Sequence, residues 1–299
     1  LPLQKASKKS LTDRKKTVYY FLLACLTGFV LMSLEVVAGR ALAPYIGVSV
    51  FTWTGVIGVI LVGIIGGNMI GGLLADRESS RALLGKAFVG SGIAILVALY
   101  VVMVTGPLFA SVTLPLVLRT ILFTLLAFLP PSLALATITP QLVKLAAKEW
   151  QIFGSQAGSL AAWNTLGGLL GTLSTGFFLI SWIGTRGLLV VLALMCLVVG
   201  MLLSKPKLPL RPRALFVVGI CFLLVGIAPA SCLKETQYYC IQLLKDAAFS
   251  DQDPAYVMRL DHLVHSYVHL REPESLGYGY EQVYVTLIAS LHSQADTTS

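Results

Sequence analysis

The sequence predicts an all-α membrane protein of about seven transmembrane helices, followed by a small β-containing region outside the membrane. Three observations predict it. The 299 residues are 56% hydrophobic and only 12% charged, with a mean hydropathy of +0.82, far from the balance of a soluble domain. The apolar residues gather in seven runs, about 17–39, 51–75, 82–105, 112–143, 156–182, 187–204 and 212–230. Each contains close to the ~20 residues that a helix needs to cross the hydrocarbon. Finally, the positive charge falls on alternate connections.

Lys5, Lys8, Lys9, Arg14, Lys15 and Lys16 precede the first run; Arg77, Arg81 and Lys86 follow the second. Lys144 and Lys148 follow the fourth, and Lys205, Lys207, Arg211 and Arg213 follow the sixth. The opposite connections hold little beyond Arg40 and Arg186, with Arg119 inside a run. The net charge of +8 is therefore a topology signal and not a nucleic-acid surface. It places the basic segment 1–16 in the cytoplasm, the helical domain 17–230 in the bacterial inner membrane among its lipids, and the region 231–299 in the periplasm. The first run continues to about Val37 without a small-residue cleavage site, so it reads as a retained helix and not a signal peptide.

The second run carries the densest information. Gly63, Gly67 and Gly71 are four apart and share one helix face, where small residues let another helix approach closely. Asn68 stands among them, an amide at membrane depth that needs a partner. The string Asn68-Met-Ile-Gly71-Gly72-Leu-Leu returns as Asn164-Thr-Leu-Gly167-Gly168-Leu-Leu in the fifth run, followed by Gly171. The second and fifth segments run in opposite directions, so the recurrence points to two inverted three-helix units. In the fourth run, Pro130-Pro131 and then Pro140 remove backbone donors, so a kink or break is expected there.

After Pro229 the chain becomes polar. Thr236 to Leu243 and Tyr256 to Leu270 read as strands, Ser250 to Pro254 as a turn, and Glu281 to Leu291 as a short helix. Cys232 and Cys240 are either a disulfide, permitted outside the cytoplasm, or two free thiols. His262, His265 and His269 have no spacing that commits them to a metal, and no cofactor is expected.

The residues resemble bacterial fused major-facilitator/spermidine-synthase proteins. The resemblance rests on Glu35-Val-Val-Ala-Gly-Arg40-Ala-Leu-Ala-Pro-Tyr-Ile-Gly47, Trp53-Thr-Gly-Val-Ile-Gly, Gly71-Gly-Leu-Leu-Ala-Asp76-Arg77, Ala162-Trp-Asn164-Thr-Leu-Gly-Gly and Trp182-Ile-Gly184-Thr-Arg186-Gly. In the tail it rests on Glu235-Thr-Gln-Tyr238, Arg259-Leu-Asp261, His265-Ser-Tyr267-Val and Pro273-Glu-Ser-Leu-Gly277-Tyr-Gly-Tyr280-Glu281. It covers most of residues 28–285. It implies a helical membrane module followed by an aminopropyltransferase-like domain. Residues 231–299 match only the β-rich beginning of such a domain. They hold no glycine-rich nucleotide loop, so aminopropyl transfer by these residues alone is not expected. The resemblance implies instead a polyamine ligand, or a synthase-like partner or other protein subunits.

Glu35, near the outer end of the first run, is the sharpest candidate, because an ionisable group in a spanning helix is a functional hypothesis by default. It is either a functional carboxylate or one half of a structural ion pair with Arg40. Asn68 and Asn164 either line a central polar site or join helices, a bond worth about 0.6 kcal/mol. In the tail, His265, Tyr280 and Glu281 align with positions near the substrate pocket of the soluble synthases. A membrane-embedded site is also what a small-molecule transporter would use, and glycine faces are what an accessory subunit of a larger complex would use.

Overall fold

The computed structural model of the chain describes residues 2–150, 154–204, 232–236, 238–245, 255–269 and 279–297. It divides into two compact units, Leu1–Pro229 and Ala230–Ser299. The first is helical: α1 (Pro2–Ile46), α2 (Val50–Arg77), α3 (Arg81–Ser111), α4 (Leu116–Ala136), α5 (Ile138–Trp150), α6 (Gly154–Ser174) and α7 (Ile180–Ser204), with a π-helical turn at Thr175–Leu179 joining the last two.

Five stretches are long and apolar enough to cross a membrane: Val18–Ile46, Val50–Arg77, Arg81–Ser111, Leu116–Ala147 and Ala157–Ser204. The last has 48 residues, about 72 Å of helix at 1.5 Å per residue, more than twice a hydrocarbon core of about 30 Å. It breaks at Gly184, whose φ of 71° and ψ of 166° belong to a region open essentially to glycine alone. The stretch is thus two helices, giving six of membrane length among the described residues. The expected seventh segment, 212–230, lies outside them.

The connections are short and capped. Gly47 takes φ 80° at the end of α1 and its N–H donates to the Ala43 carbonyl at 2.9 Å, a left-handed cap suited to glycine. The Ser49 and Ser80 hydroxyls accept from the Thr52 and Leu83 amides at 3.1 Å, which starts α2 and α3 with side-chain N-caps.

Helix directions follow from which residues meet. Along α1, Phe21, Cys25 and Phe29 meet Trp163, Gly167 and Gly171 of α6, in rising order on both helices. Along α2, Gly55, Gly63, Gly67 and Gly71 meet Thr120, Ser132, Leu133 and Thr137 of α4, again in rising order. Both pairs are parallel. Gly85 and Gly92 of α3 meet Gly200 and Ala193 of α7 in falling order, so that pair is antiparallel. Two spanning helices of one chain run parallel only with an odd number of crossings between them. Between α1 and α6 lie α2, α3 and the α4–α5 pair, so α4 and α5 together make one crossing. Their break is local: the Ser132 hydroxyl donates to the Phe128 carbonyl at 2.8 Å, and that of Thr137 donates to the Ala134 carbonyl at 2.7 Å. Hydroxyls of this kind help satisfy backbone groups in a proline-interrupted membrane helix.

The second unit holds a four-stranded antiparallel meander, β1 (Lys234–Glu235), β2 (Cys240–Lys245), β3 (Ala255–Leu260) and β4 (Leu263–His269), followed by α8 (Gly279–Thr297). The stretch expected as one strand, Tyr256 to Leu270, is two strands. Asp261 takes a left-handed φ of 54°, which Asp tolerates better than most residues, and the chain reverses there. Its buried carboxylate accepts from the Cys240 N–H and its own N–H donates to the Cys240 carbonyl, both at 2.9 Å. The Asp261–His262 turn is thereby tied to β2. Cys232 and Cys240 are joined by a disulfide, which ties the start of the sheet to the same point. The terminal helix is longer than the expected Glu281–Leu291.

Candidate functional site

Glu35 lies deeper than the sequence suggests. The first run appeared to end at about residue 39 because Arg40 follows it, but α1 continues to Ile46 and absorbs both Arg40 and Pro44. Eleven residues then separate Glu35 from the helix end, about 16 Å. Its side chain is half-buried and forms no ion pair or hydrogen bond with a described residue. The ion pair with Arg40, one of the two alternatives the sequence leaves open, is not formed. Five residues turn a helix by about 140° beyond one full circle, so the two side chains leave α1 in different directions. Glu35 follows Met32, which packs under Gly168 of α6, and precedes Gly39, which is buried against the Trp53 ring of α2. It thus stands on α1 between the α6 contact and the α2 contact.

The two asparagines are not equivalent. Asn68 is exposed, about a quarter-turn round α2 from the glycines. Asn164 is half-buried against Gly28 of α1, and its Oδ1 is buried with no hydrogen-bond partner. The structure does not bring Asn68 together with Asn164 or Glu35 as one polar centre.

The glycines have a clear role. A side chain at Gly63, Gly67 or Gly71 would collide with Ser132, Leu133 and Thr137 of α4; one at Gly167 or Gly171 would collide with the Cys25 or Phe29 backbone of α1. Gly28 on α1, which the sequence does not single out, is as tight against the Asn164 backbone, and Gly39 lies close against the Trp53 ring. These small faces are occupied within the chain.

At the basic end of the helices, Lys144 of α5 pairs with Asp76 of α2 at 2.8 Å, both side chains well exposed. Sequence reasoning also passed over Gln141, 4% exposed, with neither amide atom hydrogen-bonded. The signal was present: it is the one amide between Pro140 and Lys144, in an otherwise apolar turn.

In the tail, His265 is exposed and occupies a β-bulge. Met258 pairs with Ser266 and Arg259 with Val264, which leaves His265 unopposed. Bulges re-aim side chains and blunt sheet edges. Tyr280 and Glu281 start α8, where Tyr280 meets Tyr284 edge-on at 6.2 Å. Tyr280, Val283, Tyr284, Leu287 and Ile288 form an exposed apolar stripe on that helix, and no substantial contact joins α8 to the strand that carries His265. Among the described residues, no three His, Cys, Asp or Glu side chains converge as metal ligands. Comparison of the chain with protein-family models, curated proteins and solved structures finds no match in any of the three.

Proposed function

We propose that this chain is the membrane module of a spermidine-synthase-like system, non-catalytic by itself, which binds a polyamine or acts with a synthase-like partner. The observation that carries the reading is Glu35: a carboxylate inside a spanning helix with no cation from the described chain to neutralise it. Such a group calls for a positive ligand, and a polyamine is a flexible chain of cations. The sequence resemblance supports the same ligand class. Orientation in this reading follows the Lys/Arg asymmetry: the basic end is cytoplasmic and the tail, stapled by Cys232–Cys240, is periplasmic, where disulfides persist.

The pairing of helices supports an inverted-repeat module. Exchanging the first three crossings with the last three turns the α1–α6 pair into the α4–α2 pair and leaves α3–α7 unchanged. A small-molecule carrier is the second reading, favoured by the same pairing.

The test is equilibrium binding of spermidine and putrescine to the full chain in lipid nanodiscs. Saturable binding that Glu35→Gln weakens at least tenfold, a loss of about 1.4 kcal/mol or more, is expected. Absence of binding, or binding indifferent to Glu35→Gln, removes the polyamine reading.

A further inference from the structure

The α4–α5 junction contains a buried amide with no hydrogen-bond partner, that of Gln141, close in the chain to a carbonyl that has lost its usual helical donor, that of Ala136. Gln141 is 4% exposed and neither amide atom is hydrogen-bonded. A primary amide has two donors and an acceptor oxygen, and stranding them in an apolar interior costs more than an ordinary hydrogen bond contributes. One turn earlier is Ala136, 2% exposed. Its carbonyl would accept from residue 140 in a continuous helix, but Pro140 has no N–H. Helical side chains lean toward the N-terminus of their helix, so the Gln141 amide reaches back over the turn that ends at this carbonyl. Two polar partners in one buried place are what an internal water requires. Leu142 and Leu145 of the same helix are buried without polar atoms, so the apolar alternative was open to this position as well. Three residues beyond Gln141, Lys144 pairs with Asp76 across the α2–α5 contact, and both are open to solvent. That gives a polar path of about one helical turn from the surface.

We propose that a buried water bridges the Gln141 amide and the Ala136 carbonyl, in a hydrated site entered beside the Asp76–Lys144 pair. The water supplies that carbonyl with the donor that Pro140 cannot give. The inference does not rest on polyamine binding or on membrane orientation.

The test uses the full chain with its free cysteines replaced by alanine, in permeabilised membranes, and a small charged thiosulfonate reagent. Gln141→Cys should react about tenfold faster than Leu142→Cys, its buried neighbour, because only a hydrated site admits the reagent. Glu78→Cys, exposed, sets the upper rate. Reaction of Gln141→Cys no faster than Leu142→Cys overturns the site. A second measurement covers a variant that fails to fold. Gln141→Leu in the native background should leave the melting temperature unchanged or lower it, because the water loses its side-chain anchor. A higher melting temperature would mean a stranded amide with no water, and would also overturn it.

Discussion

Gly167 shows what one hydrogen atom in place of a methyl group does in this module. The space for its side chain is already filled by the Cys25 carbonyl and Cα. Backbone cannot rotate aside as a side chain can, so α1 and α6 must separate if a methyl group appears. Gly167→Ala is expected to destabilise the chain by about 1–3 kcal/mol, the usual cost of overpacking, read as a lower melting temperature in lipid nanodiscs. Gly72→Ala is the matched control, since nothing lies within 4 Å of the position its Cβ would take, and it should be neutral or slightly stabilising. The spacing of Gly63, Gly67 and Gly71 made their shared face legible in the sequence. Which helix fills that face was not legible, because a small residue records closeness and not the identity of its neighbour. Glu35 was legible as an ionisable residue in an apolar run. Its depth was not, because Arg40 and Pro44 mark helix ends in most contexts and here lie within α1.

At the scale of elements, the sequence announced the interruption of the fourth crossing through Pro130, Pro131 and Pro140. It could not say whether α4 and α5 cross once or turn back, because that depends on which way α6 runs against α1. The strands of the tail were readable from their Tyr, Val and Ile content. The Asp261 turn was not: a single Asp between Leu260 and Leu263 lacks the Gly or Pro that marks most tight turns, and its role comes from a long-range bond to Cys240. Asp261→Ala removes the acceptor for a buried Cys240 N–H and places alanine at a positive φ. The expected loss is about 1–3 kcal/mol of tail stability, seen as faster hydrogen exchange of the β2 and β3 amides while the helices remain protected. Unchanged exchange in the sheet would show that the hairpin is held by other contacts.

At the scale of the whole chain, composition and the seven apolar runs made a helical membrane protein legible, and the structure holds six helices of membrane length among its described residues. The repeated Asn-x-x-Gly-Gly motif was a poorer guide. Asn68 is exposed while Asn164 is half-buried with its backbone carbonyl against Gly28 of α1, because a seven-residue match between glycine-rich helices constrains composition more than position. The central claim is that α1 and α6, and likewise α2 and α4, pack in parallel, so that the proline-broken segment crosses once. Disulfide cross-linking in native membranes tests it most directly. In a chain without its free cysteines, Phe21→Cys with Trp163→Cys should form a disulfide on mild oxidation, because the two positions face each other one turn before the close approach of Cys25 and Gly167. Phe21→Cys with Leu173→Cys should not, since Leu173 lies ten residues further along α6, about 15 Å away. Cross-linking of the second pair in preference to the first would make α6 antiparallel to α1 and contradict the fold.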